Sequence, residues 1–144
     1  MAQDADRQKV IHASCVALGR SAVLLVGPSG SGKSALALEL MALGAELVAD
    51  DRTVLSLHDT GLIASCPASI RGRIEARGVG LLAADTVARA CVVLAVDLGA
   101  HENERLPPLR HMIVLGHSIV LLHTPQNGHF PAAILQYLKG GRSA

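Results

Sequence analysis

Aromatic residues are nearly missing from this chain: it has no tryptophan, and Phe130 and Tyr137 are the only aromatic side chains among its 144 residues. Recognition by stacking bases on aromatic rings is therefore excluded, and an adenine, if bound, must rest on aliphatic or backbone surface. An excess of charge is missing too. The formal net charge is +1, with acidic and basic residues interspersed, so no run marks a nucleic-acid or anionic-lipid footprint. Apolar runs are too short and too interrupted to span a bilayer, and Met1 to Val10 lacks the apolar core of a secretory signal. These absences predict a cytoplasmic protein with neither nucleic acid nor membrane as a partner. Cys15, Cys66 and Cys91 are isolated, odd in number and without CxxC spacing, which predicts buried thiols in place of a disulfide or zinc site. The seven histidines have no zinc-ligand spacing either.

What is present is an aliphatic, alanine-rich chain, 50% apolar. A chain of this length can bury about two-thirds of its unfolded surface. One domain is expected over residues 1–144, with residues 1–8 flexible. Its most informative stretch is Gly27-Pro28-Ser29-Gly30-Ser31-Gly32-Lys33-Ser34, which follows the apolar segment Ala22 to Val26 and opens a helix-like one. That context identifies a phosphate-binding P-loop. The glycines let successive backbone N–H groups converge on phosphate oxygens, and the helix N-terminus adds partial positive charge. Lys33 reaches the β/γ-phosphates and Ser34 can ligate Mg²⁺.

Around this motif the chain predicts an α/β fold with a mixed sheet and flanking helices. Ile11 to Leu18 and Ala22 to Val26 read as strands on either side of Gly19-Arg20. Ser34 to Leu43 is built of good helix formers and stops at Gly44, a suitable C′ residue. Ala45 to Ala49 is a strand ending in Asp50 and Asp51, and Thr53 to Leu57 and Leu62 to Cys66 alternate like a hairpin. Pro67 to Val79 fits no period and is expected to be a functional loop. Ala90 to Val96, Met112 to Leu115 and Ser118 to His123 are strands, His101 to Pro108 is a charged loop, and Pro131 to Lys139 is a helix.

A strand ending in two carboxylates places them in the crevice that receives the triphosphate, because parallel strands of such sheets present their C-terminal ends to one side. One carboxylate can hold Mg²⁺ while its neighbour accepts the proton of an attacking hydroxyl; residue types alone leave open which does which.

With these residues in order, the chain resembles the catalytic domain of the HPr kinase/phosphorylase family, whose fold is related to that of phosphoenolpyruvate carboxykinase. His12 lies where that family has its active-site histidine, and Gly27 to Ser34 matches its Walker A motif. Ala49-Asp50-Asp51 resembles its Ala-Asp-Asp, and Ile74-Glu75-Ala76-Arg77-Gly78-Val79-Gly80 its signature segment. The resemblance implies an ATP- and Mg²⁺-dependent serine protein kinase acting on the phosphocarrier HPr, or an HPr-like protein, of the bacterial phosphotransferase system. It makes Asp50 the proton acceptor, Lys33 the stabiliser of phosphoryl charge, Ser34 and Glu75 the Mg²⁺ holders, Arg77 an active-site residue of the signature loop beside the phosphates, and Arg105 the later active-site arginine. His12 and Asp51 complete the catalytic set. The chain departs from the family in carrying no extra N-terminal domain, in having Ala35 after Ser34, and in the sequence from Leu109 to Val120 and at its C-terminal tail. These departures argue against phosphorylase activity and hexamer assembly, and leave other self-association open. A small-molecule P-loop kinase and a non-catalytic ATP sensor are the rival readings.

Overall fold

The computed structural model describes residues 7–144. Among these residues it is a mixed α/β fold with eleven strands, two helices and one short 3₁₀ turn at Ala68–Ile70. The strands are β1 (Gln8–Ile11), β2 (Ser14–Leu18), β3 (Ser21–Val26), β4 (Glu46–Ala49), β5 (Thr53–His58), β6 (Gly61–Ser65), β7 (Arg73–Ala76), β8 (Gly80–Ala83), β9 (Arg89–Glu102), β10 (Arg110–Val114) and β11 (His117–Pro125). The helices are α1 (Lys33–Ala42) and α2 (Phe130–Gly140). Of the eight residues expected to be flexible, 1–6 lie outside the described residues; the Arg7 carbonyl accepts the Leu57 N–H at 2.8 Å and Gln8 begins β1.

Nine strands form one sheet, seven of them in the order β1-β5-β6-β9-β3-β2-β4 with β11 and β10 branching from β9, and β7 and β8 form a separate hairpin. The long strand β9 organises the large sheet: β3 runs parallel along one edge, while the other edge takes antiparallel β6 and then parallel β11, which carries β10. Because β2 is antiparallel to both β3 and β4, β3 and β4 point the same way. Their C-terminal ends and the start of β2 therefore meet at one end of the sheet. The crevice predicted from adjacent parallel strands is thus built with an antiparallel strand in between.

The two faces of the sheet follow the alternation of the strands. Val16, Val23, Leu25, Leu94 and Val96 face the helices and pack with Leu36, Leu40, Ile134 and Leu135. Cys15, Ala17, Ala22, Leu24 and Ala95 face the other way, against Leu55, Leu62 and Ala64. Small side chains on this second face let the sheet curl onto itself at close-packed density. Helix α1 ends as its sequence predicts: Gly44 takes φ 116°, its N–H bonds Met41 C=O at 3.0 Å, and Ala45 N–H bonds Leu40 C=O at 3.0 Å. That pair of bonds is a Schellman motif.

Three expectations need correction. The segment Ile11 to Leu18 is two strands: β1 pairs with β5 and β2 with β3 and β4, the chain crossing over at His12-Ala13. Ala13 is fully buried there and its carbonyl accepts the Thr53 hydroxyl at 2.9 Å. The stretch from Pro67 to Val79 contains strand β7, which pairs with β8; only Ile74 and Ala76 of β7 turn inward, too short a run to register as a period of two. Finally, His101 and Glu102 extend β9, and Glu102 pairs with Arg110 of β10. Among the described residues no helix is long and apolar enough to cross a membrane.

Candidate functional site

The P-loop leaves β3 at Gly27 and enters α1 at Lys33. Its backbone favours glycine: Gly27, Gly30 and Gly32 have φ of 143°, 80° and 102°, values that residues with a Cβ rarely adopt and only under strain. A Cβ on Gly27 would also sit 2.8 Å from Ser31 Oγ. Ser31 N–H closes the turn onto Pro28 C=O at 3.1 Å, while its Oγ is buried without a hydrogen-bond partner among the described residues. Lys33 is 7% exposed, its Nζ folded over the loop to donate to Gly27 C=O at 2.8 Å and Pro28 C=O at 3.1 Å.

The adjacent acids have opposite surroundings. Asp50 is 8% exposed. Its Oδ1 accepts the hydroxyls of Ser14 at 2.8 Å and Ser34 at 2.7 Å, and its Oδ2 accepts Glu75 N–H at 3.0 Å. This one carboxylate therefore ties β2, α1 and β7 together with charge-assisted hydrogen bonds. Asp51 is 63% exposed at its side chain, and one carboxylate oxygen lies 2.7 Å from His12 Nε2. It sits at φ 67° inside a three-residue turn closed by Arg52 N–H on Asp50 C=O at 2.7 Å. A γ-turn with positive central φ is the rarer, strained form, and such strain concentrates at functional sites.

These residues frame a cavity of about 640 Å³. The P-loop residues Ser29, Gly30, Gly32, Lys33 and Ser34 form one side; His12 and Asp51 stand at the end of the sheet; Glu75 and Arg77 come from the β7–β8 hairpin. Ala35, Leu38, Ala76 and Val79 add an aliphatic wall, the surface expected where aromatics are lacking. Asp50 lies behind the lining, bonded to Ser34 and Glu75. Arg105, in the loop between β9 and β10, is not among the lining residues. Ser14, fully buried, was not foreseen: its hydroxyl donates to Asp50 and accepts Asp51 N–H at 3.3 Å, and a serine at a strand start carries no motif. Burial raises the Cys66 thiol above its ordinary value, against the effect of Arg71 and with Asp50 adding to the rise, and burial raises Cys15 likewise. All three cysteines are free; Cys15 and Cys66 are buried as expected, whereas Cys91 is half-buried.

Residues 3–93 match the HPr Serine kinase C-terminal domain family. The chain belongs to this family. Among similar proteins, the HPr kinase/phosphorylase of Bordetella pertussis is 48% identical over 66 residues, covering 45% of this chain and 21% of that protein. The HPr kinase/phosphorylase of Aromatoleum aromaticum is 43% identical over 89 residues, covering 59% of this chain and 28% of that protein. The chain thus spans 21–28% of the length of these curated relatives. A solved structure, the Hpr(Ser) kinase/phosphatase from Coxiella burnetii, superposes with a TM-score of 0.75 at 26% identity, covering 91% of this chain and 88% of that one. The fold of the HPr kinase family is therefore present, and the superposed part of the chain reaches beyond the residues matched by the family.

Proposed function

We propose that this chain is an ATP-dependent serine kinase domain that transfers phosphate to an HPr-like phosphocarrier protein. The observation that carries the reading is Asp51, held in a strained turn, paired with His12 and exposed to the cavity that the P-loop lines. Relatives named HPr kinase/phosphorylase support the substrate class.

The residues present fit a triphosphate and Mg²⁺. The P-loop residues lining the cavity, with Gly30 and Gly32 at positive φ ahead of the α1 N-terminus, and the buried, unpartnered Ser31 hydroxyl beside them support an anion on the loop. The Ser34 hydroxyl and Glu75 carboxylate are the hard oxygen donors that Mg²⁺ prefers. Bound there, the ion would neutralise phosphate charge. The P-loop N–H groups and Lys33 bind and orient the triphosphate, and Arg77 adds positive charge from the facing hairpin. Asp51 takes the proton from the incoming serine hydroxyl, with His12 fixing its carboxylate. Asp50 is a positioning residue, its oxygens already engaged by three donors. Alignment and charge stabilisation carry most of such a transfer, and the base contributes about 10²–10⁴-fold. A reaction fed by ATP belongs in the cytoplasm.

Incubation with Mg-ATP and an HPr-type protein, followed by mass spectrometry, tests the reading. A phosphoserine product that disappears in Lys33→Ala supports it. A small-molecule product, or nucleotide binding with no transfer, overturns it in favour of the two rival readings. Adding inorganic phosphate to the phosphorylated product then tests for the reverse reaction.

A further inference from the structure

We infer that a bulge in β9 is the seat of the P-loop, with Asp97 as a positioning residue that acts through Gly99. The inference rests on the proposal that this loop binds a nucleoside triphosphate. Strands β9 and β11 pair in parallel up to Asp97 opposite His123, and pairing resumes at His101 opposite Thr124. Leu98, Gly99 and Ala100 are thus extra residues on β9, and extra residues in a ladder bend a strand and re-aim its neighbours.

This bulge sits against the loop. Asp97 lies beside Val26, the last residue of β3 before Gly27. A Cβ built on Gly27 would be 3.2 Å from the backbone nitrogen of Gly99. One built on Gly99 would be 3.0 Å from Pro28 Cδ and 3.2 Å from Asp97 Oδ1. Two glycine backbones therefore meet so closely that a Cβ on either would have to push its neighbours aside. Leu98 lies beneath the other end of the loop, 3.7 Å from where a Cβ of Gly32 would be.

Asp97 fixes the bulge from both sides: its Oδ1 accepts Gly99 N–H at 2.8 Å, and its backbone carbonyl accepts the Thr124 hydroxyl at 2.9 Å. An acid at the C-terminal end of the strand beside a P-loop could instead hold a metal ion. Here the carboxylate is turned onto Gly99 and is absent from the cavity lining. What it supplies is a hydrogen-bond acceptor, and an amide oxygen can supply the same.

The test measures Mg-ATP affinity by calorimetry, with circular dichroism checking each fold. Gly99→Ala is expected to fold and to weaken binding about tenfold or more, by pushing Pro28 off its seat. Asp97→Ala weakens binding similarly, and Asp97→Asn binds like the wild type. Wild-type affinity in Gly99→Ala overturns the inference. So does an Asp97→Asn variant as weak as Asp97→Ala, since a metal ligand needs the charge. A wild-type protein that binds no Mg-ATP overturns the nucleotide reading itself, a result separable from binding that is intact but indifferent to Gly99. If Asp97→Ala does not fold, Gly99→Ala and Asp97→Asn decide the matter.

Discussion

The two walls of the cavity are attached to the molecule in different ways. The P-loop and the Asp50-Asp51 pair grow directly from β3 and β4, whose residues Val23, Leu24, Leu25, Leu47 and Val48 are almost wholly buried. The facing wall, the β7–β8 hairpin, is a sheet of its own, with Val79 75% and Leu81 67% exposed. It is fastened by Ile74, buried in the helix-side core, by the Asp50 bond to Glu75 N–H, and by the segment after β8, where Leu47 N–H bonds Asp85 C=O at 3.1 Å and Val87 N–H bonds Leu47 C=O at 3.0 Å. Groups on the sheet wall are set by the core of the fold. Glu75 and Arg77 are set by a few named contacts, so the site can be dismantled from one side at a time.

The largest effect is expected on the sheet wall. Asp51→Asn should lower the rate of phosphoserine formation about 10²–10⁴-fold with the melting temperature unchanged, because Asn also tolerates positive φ. Asp51→Gly should be equally inactive and no less stable, since glycine carries no steric strain at φ 67°. A clear loss of stability in Asp51→Gly would mean the turn is not strained. On the hairpin wall, Ile74→Ala should cost about 2–5 kcal/mol in urea unfolding. If the hairpin is separately attached, faster hydrogen exchange in that variant will be confined to residues 72–83; spread into β3 and β4 would merge the two walls.

Asp50 joins the walls and should show an intermediate effect. Asp50→Ala leaves the fully buried Ser14 hydroxyl without its acceptor, a cost of about 1–3 kcal/mol, and releases Glu75 N–H. Asp50→Asn keeps one acceptor oxygen and should recover part of both stability and transfer. If Asp50→Ala kept full transfer while Glu75→Gln lost it, the bond to Glu75 would have no positioning role.

The same contrast explains what the sequence made legible. The sheet wall was readable because each of its parts has a local signature: an apolar strand before a glycine loop, helix formers ended by Gly44, and a strand capped by two acids. Pro67 to Val79 reads as a loop because β7 within it is four residues long with only two of them buried, and its partner β8 is four residues and largely exposed, so no period stands out. The roles of Asp50 and Asp51 could not be separated from residue types. What distinguishes their surroundings, and underlies the roles proposed for them, is the arrival of Ser14, Ser34 and Glu75 N–H at the Asp50 carboxylate from three elements. Arg105, named by resemblance alone, lies outside the cavity lining. The bulge at Leu98 to Ala100 had no signal, since bulges are set by the partner strand.

The smallest effect should come from a pair outside the cavity lining, Glu102 at the end of β9 with Arg110 of β10. Burial acts to raise the Glu102 carboxyl, but the Glu104 N–H, the Arg110 guanidinium and the His123 ring together hold it below the ordinary glutamate value. A carboxylate depressed in the folded state stabilises the fold at pH values above its unfolded value, about 4.3, and loses that contribution as pH falls toward the depressed value. The melting temperature of wild type should therefore exceed that of Glu102→Gln at neutral pH, and the difference should shrink on acidification through and below about pH 4.3. Phosphoserine formation at neutral pH should be unchanged in the variant, because the pair braces β10 against β9 beyond the bulge. A fall in transfer with no change in melting temperature would extend the sheet wall's influence on the P-loop to the end of β9.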